Sequence, residues 1–317
     1  MADAGASCAE HGLRGVVDRV GEVLAHRFVL MKLIGIGSRN TTVWEARDTE
    51  LAQDVAVKIC PPVDPLELER TIHGTWVGSR LAHPGVTRVI EFGETDDGAY
   101  YCVMERLRGR TVQRVLETQP LRPADAARVV ERTLEALEYV HAQGVIHRDI
   151  KTTNLFVGAL GEGRFTVKLL DFGIARLVTD VQPGDLDPSK IVGTPEYMAP
   201  EQITGGELDA RSDLYAVGVV LFRLLTGQLP FEEETRQALY LAHLEKAPPA
   251  LGSVDPTLPV ELDAVVRRAL AKAPEDRFAS AAEMRAALRG IRRALWPADG
   301  RPVTRRLAYP IEDLQAG

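Results

Sequence analysis

Cysteine is scarce in this chain of 317 residues. Cys8, Cys60 and Cys102 stand far apart and form no CxxC pair, so the sequence indicates neither a disulfide framework nor a zinc site. Long apolar runs are missing as well. The most apolar stretch, residues 215–225, is interrupted by Arg223 and is too short to span a bilayer, which predicts a buried core helix. These absences favour an intracellular, reduced protein.

Positive charge is not in excess, and no internal repeat stands out. The formal net charge of −7 gives no reason to expect a nucleic acid partner. The first residues do not show the basic start and apolar run of a secretory signal, which favours a cytoplasmic location. Hydrophobic and charged contents of 45% and 26% are ordinary for a globular protein.

The chemistry of the chain is concentrated in residues 147–154, HRDIKTTN, and in a DFG triplet that begins at Asp171. Asp149, Asn154 and Asp171 supply side-chain oxygens there, and Lys151 supplies an ammonium group. A carboxylate can accept a hydroxyl proton, an amide and a second carboxylate can hold magnesium, and a lysine can offset developing negative charge. This combination predicts phosphoryl transfer.

A second block, GTPEYMAPE, occupies residues 193–201. With these motifs in this order, the chain resembles the eukaryotic-type (Hanks-type) Ser/Thr protein kinases of bacteria. The resemblance implies an α+β, two-lobed kinase fold with a small β-rich N-lobe and a larger helical C-lobe. The expected domains are an N-terminal leader (1–26), a kinase domain (27–292, with the N-lobe at 27–107 and the C-lobe at 108–292) and a short C-terminal tail (293–317).

The resemblance further implies transfer of the γ-phosphoryl group of MgATP to a Ser or Thr hydroxyl of a protein substrate. Asp149 would be the catalytic base, Lys151 and Lys58 would stabilise phosphate charge, and Asn154 and Asp171 would hold Mg²⁺. The residues expected to contact ATP are Ile34, Gly35, Gly37, Val43, Ala56, Lys58, Met104, Glu105, Leu107 and Phe156.

Four residues are expected to support this site through structure. By resemblance, residues 147–154 form the catalytic loop, Thr194 forms hydrogen bonds with Asp149 and Lys151, and Asp213 supports the backbone of this loop. Glu201 and Arg277 are expected to form an ion pair. Arg277 could alternatively be a surface arginine, and the spacing of its KAPEDRF motif favours burial.

The sequence departs from the kinase pattern at two places in the expected N-lobe. The third glycine of the phosphate-covering loop is absent, and Asn40 or Thr41 stands near its position. In the family, a glutamate of the following helix pairs with the lysine that corresponds to Lys58. Gly74 takes the position of that glutamate, and neither Glu67 nor Glu69 is an obvious substitute. We therefore expect an activating partner to bind at the helix that carries Gly74.

Regulation is expected in the activation segment. By resemblance, Arg148 beside the catalytic aspartate indicates control by a phosphate on Thr179 or Ser189. Constitutive pairing of Arg148 with Asp180, Asp185 or Asp187 is a competing hypothesis. Ser189 could equally be a plain solvated loop serine.

Three functions compete on the sequence alone. An active Ser/Thr protein kinase is favoured, because the catalytic loop, the DFG triplet and the GTPEYMAPE block are all present. A nucleotide-binding pseudokinase or scaffold with weak or partner-dependent activity is the alternative, suggested by the altered glycine loop and by Gly74. A small-molecule phosphotransferase is disfavoured, because the GTPEYMAPE block suits a polypeptide acceptor.

Overall fold

The structure is a computed structural model that describes residues 18–37, 40–62, 65–117, 121–161, 164–172, 176–177 and 193–296. The described chain divides into two compact units. Residues up to Leu68 and the segment Val89–Arg106 belong to the first unit, and Glu69–Arg88 with the residues from Leu107 onward belong to the second.

The first unit is built on a six-stranded antiparallel sheet with the order β1-β2-β3-β4-β6-β5. Alternate residues of its strands point into an apolar core that includes the fully buried Phe28, Trp44 and Val57, as the two-residue period of a strand requires. The strands are β1 Val23–Leu24, β2 Phe28–Ile36, β3 Thr42–Asp48, β4 Gln53–Cys60, β5 Val89–Glu94 and β6 Tyr100–Glu105.

The second unit is mainly helical. Its short strands pair in the order β10-β9-β7 and as β11-β8. Its helices are α1 Pro65–Ser79, α2 Val112–Leu116, α3 Pro123–Ala142, α4 Pro200–Thr204, α5 Ala210–Thr226, α6 Arg236–Glu245, α7 Leu251–Val254, α8 Val260–Ala269 and α9 Ala281–Leu295. The first residues of α1, up to Leu68, belong to the first unit. Its strands are β7 Arg110–Thr111, β8 Val145–Ile146, β9 Leu155–Gly161, β10 Arg164–Leu169 and β11 Arg176–Leu177.

Helices α3 and α5 form the centre of the second unit. Helix α3 begins with Pro123, whose missing N–H and fixed φ suit a first helical turn, and it buries Val130, Leu134 and Leu137 at the spacing of one helix face. Helix α5 is capped by Asp209, ends at Gly227 with φ of 77°, and is buried on nearly every side. The apolar run at 215–225 is therefore a core helix.

Helix α9 is attached to α3 by ion pairs as well as by apolar packing. Arg292 contacts Glu131 at 2.6 Å, and Arg285 contacts Glu138 at 2.7 Å. At its start, Oγ of Ser280 accepts the backbone N–H of Glu283 at 3.2 Å, a common N-cap hydrogen bond.

The division into an antiparallel sheet and a larger helical unit confirms the α+β class predicted from the sequence. The domain boundaries at 26/27, 107/108 and 292/293 stay predictions. Within the described residues, no helix is both long and apolar enough to cross a membrane.

Candidate active site

Asp149 lies at the centre of a polar cluster in the catalytic loop. Its Oδ2 lies 2.7 Å from Nζ of Lys151, and its Oδ1 accepts the hydroxyl of Thr194 at 2.9 Å. Lys151 also donates to Oγ1 of Thr194 at 2.6 Å, so the three side chains close a ring of interactions. The cluster joins two loops that are 43 residues apart, since Thr194 belongs to the GTPEYMAPE block.

Asn154 fixes the same carboxylate from the other side. Its Nδ2 donates both to the backbone carbonyl of Asp149 and to Oδ2 of that residue, each at 2.9 Å. A short 3-10 turn, Thr152–Asn154, returns the buried Asn154 side chain towards Asp149. Because Nδ2 is used in these bonds, the amide oxygen of Asn154 is the atom suited to a cation.

Asp213 supports the backbone of the catalytic loop from the first turn of α5. Its two oxygens accept the N–H groups of His147 at 2.9 Å and Arg148 at 2.8 Å, and Nε2 of His141 lies 2.8 Å from Oδ2. Burial alone would raise the pKa of the Asp213 carboxyl, but the hydrogen bond and positive field of His141 hold it below its usual value. The buried carboxylate can therefore order two consecutive amides.

One residue of the catalytic loop and one of the DFG triplet have strained backbones. Arg148 has a φ of 68° and Asp171 has a φ of 57°, in the left-handed region that side chains other than glycine seldom occupy. Such conformations cost of the order of 1–3 kcal/mol each and persist where the surroundings fix them. Here the carbonyl of Arg148 accepts from Gln202 at 3.1 Å, and the carbonyl of Leu170 faces Nε2 of His147 at 3.0 Å.

Phe172 connects the DFG segment with α1 inside the second unit. It is buried, and its ring lies 4.6 Å from the ring of His147. A Cβ added at Gly78 on α1 would lie 2.8 Å from the Cβ of Phe172, a distance that real side chains do not reach. Glycine at residue 78 thus permits the close approach of this helix to Phe172.

Glu201 and Arg277 form a buried, bidentate ion pair, in which Nη1 donates to Oε1 at 2.7 Å and Nη2 donates to Oε2 at 2.8 Å. The guanidinium also donates to the carbonyls of Ala271 and Lys272, and Glu201 accepts the hydroxyl of Ser212. The side chain of Arg277 is fully buried, and its polar atoms find partners on several segments of the second unit. This pair ties the end of the GTPEYMAPE block to the helical core.

In the first unit, Lys58 is half-buried on β4 and lies opposite Val43 on one side and Cys102 on the other. Ala56, two residues earlier on β4, is buried opposite Met104. Lys58 takes part in a hydrogen-bonding or electrostatic interaction. Lys58 therefore has a partner even though Gly74 takes the position of the family's helix glutamate.

The glycine turn between β2 and β3 is partly described. Gly35 pairs with Val43, Ile34 is exposed, and the N–H of Gly37 donates to the carbonyl of Thr41 at 2.8 Å. Asn40 has a φ of 58°, a left-handed conformation that glycine adopts freely and that asparagine tolerates better than most residues. Asn40 can thus supply the backbone geometry that the absent third glycine would otherwise give.

The sequence is also similar to known proteins over most of its length. The model of the protein kinase domain matches residues 28–287. The chain belongs to the protein kinase family. This confirms the kinase resemblance predicted from the sequence.

Several similar proteins come from bacteria. The chain is 38% identical over 281 residues to serine/threonine-protein kinase pkn3 of Myxococcus xanthus, covering 86% of this chain and 51% of the relative. It is 39% identical to the probable serine/threonine-protein kinase PknB of Corynebacterium glutamicum and 36% identical to PknB of Mycobacterium tuberculosis, covering 84% of this chain in each case. The matched regions span only 42% and 43% of these two relatives.

Several of the kinase residues named from the sequence are brought together within the second unit. Asp149, Lys151, Asn154 and Thr194 share one cluster, and Asp213 lies directly beneath its loop. Asp171 is exposed, Phe156 is half-buried on β9, and Leu107 is half-buried. In the first unit, Glu105 is half-buried at the end of β6.

Most of the residues predicted to regulate activity lie outside the described residues. These are the possible phosphorylation sites Thr179 and Ser189, and the aspartates that could pair with Arg148 instead, Asp180, Asp185 and Asp187. Arg148 is described, and its side chain is half-buried. Control of the kinase through this arginine stays a prediction.

Sequence reasoning missed the supporting roles of His141, Gly78 and Arg223. Arg223 stands out in the sequence only because it interrupts an apolar run, and His141 and Gly78 belong to none of the motifs described above. The spacing of residues within one helix shows which side faces the core, but not which distant carboxylate or hydroxyl meets it. Only at residue 223 did the sequence offer a signal, because a charged side chain in an otherwise apolar helix needs a polar partner or access to solvent.

We expect Thr194→Val to lower kcat about 10- to 100-fold, with little change in the KM for ATP. The substitution keeps the volume but removes the hydroxyl that bonds Asp149 and Lys151, and hydrogen bonds to charged groups contribute about 1.5–3 kcal/mol. Initial rates at saturating ATP measure the effect. Thr257→Val, at an exposed turn, is the matched control, and an unchanged kcat in Thr194→Val would contradict the role of this hydroxyl.

His243 forms a second buried polar site, between α5 and α6. Its side chain is inaccessible to solvent, its Nδ1 lies 2.9 Å from the hydroxyl of Tyr215, and its backbone carbonyl accepts from Lys272 at 2.7 Å. Burial, with the nearby charge of Lys272, lowers the pKa of His243 to about 4. The folded protein therefore keeps His243 neutral at pH values where an unfolded chain would protonate it.

This shift predicts a loss of stability in acid. As pH falls from about 6.5 to about 4, His243 becomes protonated in the unfolded state but stays neutral in the folded state. The free energy of unfolding therefore falls by about 3 kcal/mol over this range. Above about pH 6.5 both states are neutral and the effect vanishes. Urea unfolding of the wild type and His243→Gln across this range measures the difference. Parallel pH curves for the two proteins would contradict the assignment.

Proposed function

We propose that this chain is a MgATP-dependent serine/threonine protein kinase. The observation that carries the proposal is the fixed carboxylate of Asp149, which contacts Asn154, Lys151 and Thr194 at 2.7–2.9 Å. A carboxylate held in this way can orient an acceptor hydroxyl before reaction, and positioning supplies much of the rate enhancement in phosphoryl transfer. Relatives named as serine/threonine-protein kinases support the same function.

In the proposed reaction, Asp149 orients the hydroxyl of a serine or threonine and accepts its proton. The hydroxyl oxygen forms a bond to the γ-phosphorus of ATP while the bond from that phosphorus to the bridging oxygen breaks, and ADP leaves. Lys151 lies 2.7 Å from Asp149, so its ammonium can offset negative charge that develops on the transferred group. The hydroxyl of Thr194 bonds both Lys151 and Asp149 and so holds the two side chains in position relative to each other.

The protein kinase family uses ATP and a divalent metal, and the residues present fit a magnesium ion. Asn154 offers an amide oxygen and Asp171 an exposed carboxylate, which are hard oxygen ligands. Magnesium is commonly held by one or two carboxylates together with substrate phosphates, so this small donor set suffices. When bound, the ion would neutralise phosphate charge. Among the described residues, no cluster of three or more His, Cys, Asp or Glu side chains offers another metal site.

The nucleotide-binding roles of the first unit are part of the same proposal. Lys58 would stabilise the α- and β-phosphates, and the backbone of Gly35 and Gly37 would approach the phosphate oxygens. Ala56 and Met104, adjacent across β4 and β6, would line the adenine site with the other ATP-contact residues named above. These roles rest on the family resemblance.

An activating partner at α1 is a further part of the proposal. Gly74 is buried in this helix, whereas the large apolar side chains of Ile72 and Trp76 are 37% and 41% exposed. Exposed apolar side chains one helical turn apart can bind a partner surface. Membrane and nucleic acid contacts are not proposed, and the cytoplasmic location stays a prediction.

Labelled phosphate transfer tests the function. Purified protein is incubated with γ-labelled ATP, magnesium and a generic acceptor protein, with a parallel sample in which a chelator removes the metal. We expect label on the acceptor in the presence of magnesium and loss of labelling with the chelator. Nucleotide binding without any transfer would instead support the pseudokinase alternative.

A further inference from the structure

Arg223 takes part in a chain of hydrogen bonds that reaches the catalytic loop. Its Nη1 donates to the hydroxyl of Tyr197 at 2.5 Å, and that hydroxyl lies 3.0 Å from Oγ1 of Thr152, the residue after Lys151. Thr152 donates in turn to Oε1 of Gln113 on α2 at 2.8 Å. The guanidinium of Arg223 therefore lies beside both the catalytic loop and the GTPEYMAPE block.

The charge of Arg223 is not balanced by a nearby carboxylate of the described chain. The side chain is only half-buried, its described hydrogen-bond partner is the neutral Tyr197, and no carboxylate of the described residues lies within 4 Å of it. Arginine remains protonated at any ordinary pH, and its planar fork matches carboxylate and phosphate groups. A positive group beside the catalytic loop is thus available to an anionic ligand.

Two further arginines without a carboxylate partner in the described chain precede α2. Arg108 is exposed and Arg110 is half-buried, and they stand three to five residues before Gln113, which contacts Thr152. By contrast, Arg114 in the same region is paired with a glutamate of α2's end at 2.9 Å. We call Arg108, Arg110 and Arg223 the basic rim.

Glu196 is the acidic group that could oppose the basic rim. It directly precedes Tyr197, it is half-buried, and its Oε2 has no hydrogen-bond partner among the described residues. A substrate with basic side chains would depend on this carboxylate. The three guanidinium groups of the basic rim favour the opposite charge on the substrate.

We propose that the basic rim selects acceptor sites flanked by an anionic side chain, either a carboxylate or a phosphorylated residue. The proposal rests on the kinase function proposed above. An acceptor serine or threonine must reach Asp149, and an extended peptide advances about 3.3 Å per residue. Arg223 is linked to the catalytic loop through Tyr197 and Thr152, so side chains within about four residues of the acceptor can approach its guanidinium group.

Matched peptides test this specificity. One peptide carries a serine acceptor in a neutral background, and three others carry aspartate, phosphoserine or arginine at the flanking positions. We expect kcat/KM to be about fivefold higher for the aspartate peptide than for the neutral one, as one partly exposed charge pair permits. The phosphoserine peptide should exceed the aspartate peptide, because a phosphate carries about −1.5 to −2 charges.

Variants of Arg223 link the preference to the basic rim. Arg223→Gln can still donate to Tyr197 but has no charge, and Arg223→Glu reverses the charge. Both should reduce the ratio of kcat/KM for the aspartate and neutral peptides, a ratio that cancels any general loss of activity. Arg293→Glu, at an exposed position on α9, is the control and should keep the wild-type ratio.

The outcomes separate the two proposals. Equal rates for neutral and aspartate peptides, or a preference for arginine, would overturn the selectivity and would point to Glu196 as the dominant charge. A wild-type ratio in Arg223→Gln would overturn it as well. Absence of transfer to every peptide and to the generic acceptor protein would overturn the kinase function itself.

Discussion

Replacing Asp149 by asparagine should lower the rate of phosphoryl transfer about 10²- to 10⁴-fold, the usual contribution of a positioned general base. Asparagine keeps the shape of the side chain but cannot accept the hydroxyl proton, and it loses the charge that faces Lys151 at 2.7 Å. ATP binding should change little, because the expected nucleotide contacts lie elsewhere. Initial rates with a protein acceptor, together with ATP affinity, measure the two effects separately.

Asp276→Asn is the matched control for this substitution. Asp276 is exposed in a short 3-10 turn near the end of the domain, so the same chemical change should leave the rate unaltered. Turnover in a clean preparation of Asp149→Asn that approaches the wild-type rate would contradict the assignment of Asp149 as the base.

Replacing Arg277 by methionine should lower the free energy of unfolding by about 3–5 kcal/mol, the typical effect of breaking a buried ion pair from one side. The substitution leaves the carboxylate of Glu201 buried with only Ser212 among the bonds described for it. It also removes donors from the carbonyls of Ala271 and Lys272. Urea unfolding followed by circular dichroism measures the change.

A surface ion pair provides the control for Arg277. Arg267 pairs with Asp263 one helical turn away, and its side chain is 51% exposed, so Arg267→Met should change stability by no more than about 1 kcal/mol. Adding Glu201→Gln to Arg277→Met should recover part of the loss, since it removes the isolated buried charge. A loss in Arg277→Met no larger than that in Arg267→Met would contradict the structural importance of the buried pair.

The sequence predicted a buried helix at residues 215–225 and named the residues that cluster around Asp149, because both predictions follow local patterns. The apolar run inside α5 specifies a buried helix, and the ordered motifs around Asp149 specify the reaction class. The α+β fold class and the family are confirmed by the structure and by the family match.

The remaining details depend on contacts between distant segments. Nothing local shows that Gly78 must lie against Phe172, because the requirement arises only when α1 approaches the DFG segment. In the same way, the bond from Arg223 to Tyr197 joins residues 26 apart whose side chains meet only in the folded chain. The left-handed φ of Asn40 likewise shows how a missing glycine can be tolerated, which counting glycines could not reveal.

The most direct test of the account is single-turnover transfer of labelled γ-phosphate to a protein acceptor by the wild type and by Asp149→Asn, followed by phosphoamino acid analysis. The account predicts magnesium-dependent label on serine or threonine with the wild type, and a rate at least about 100-fold lower with the variant. Label that appears at the same rate with both proteins, or no label from a wild type that binds ATP, would contradict it.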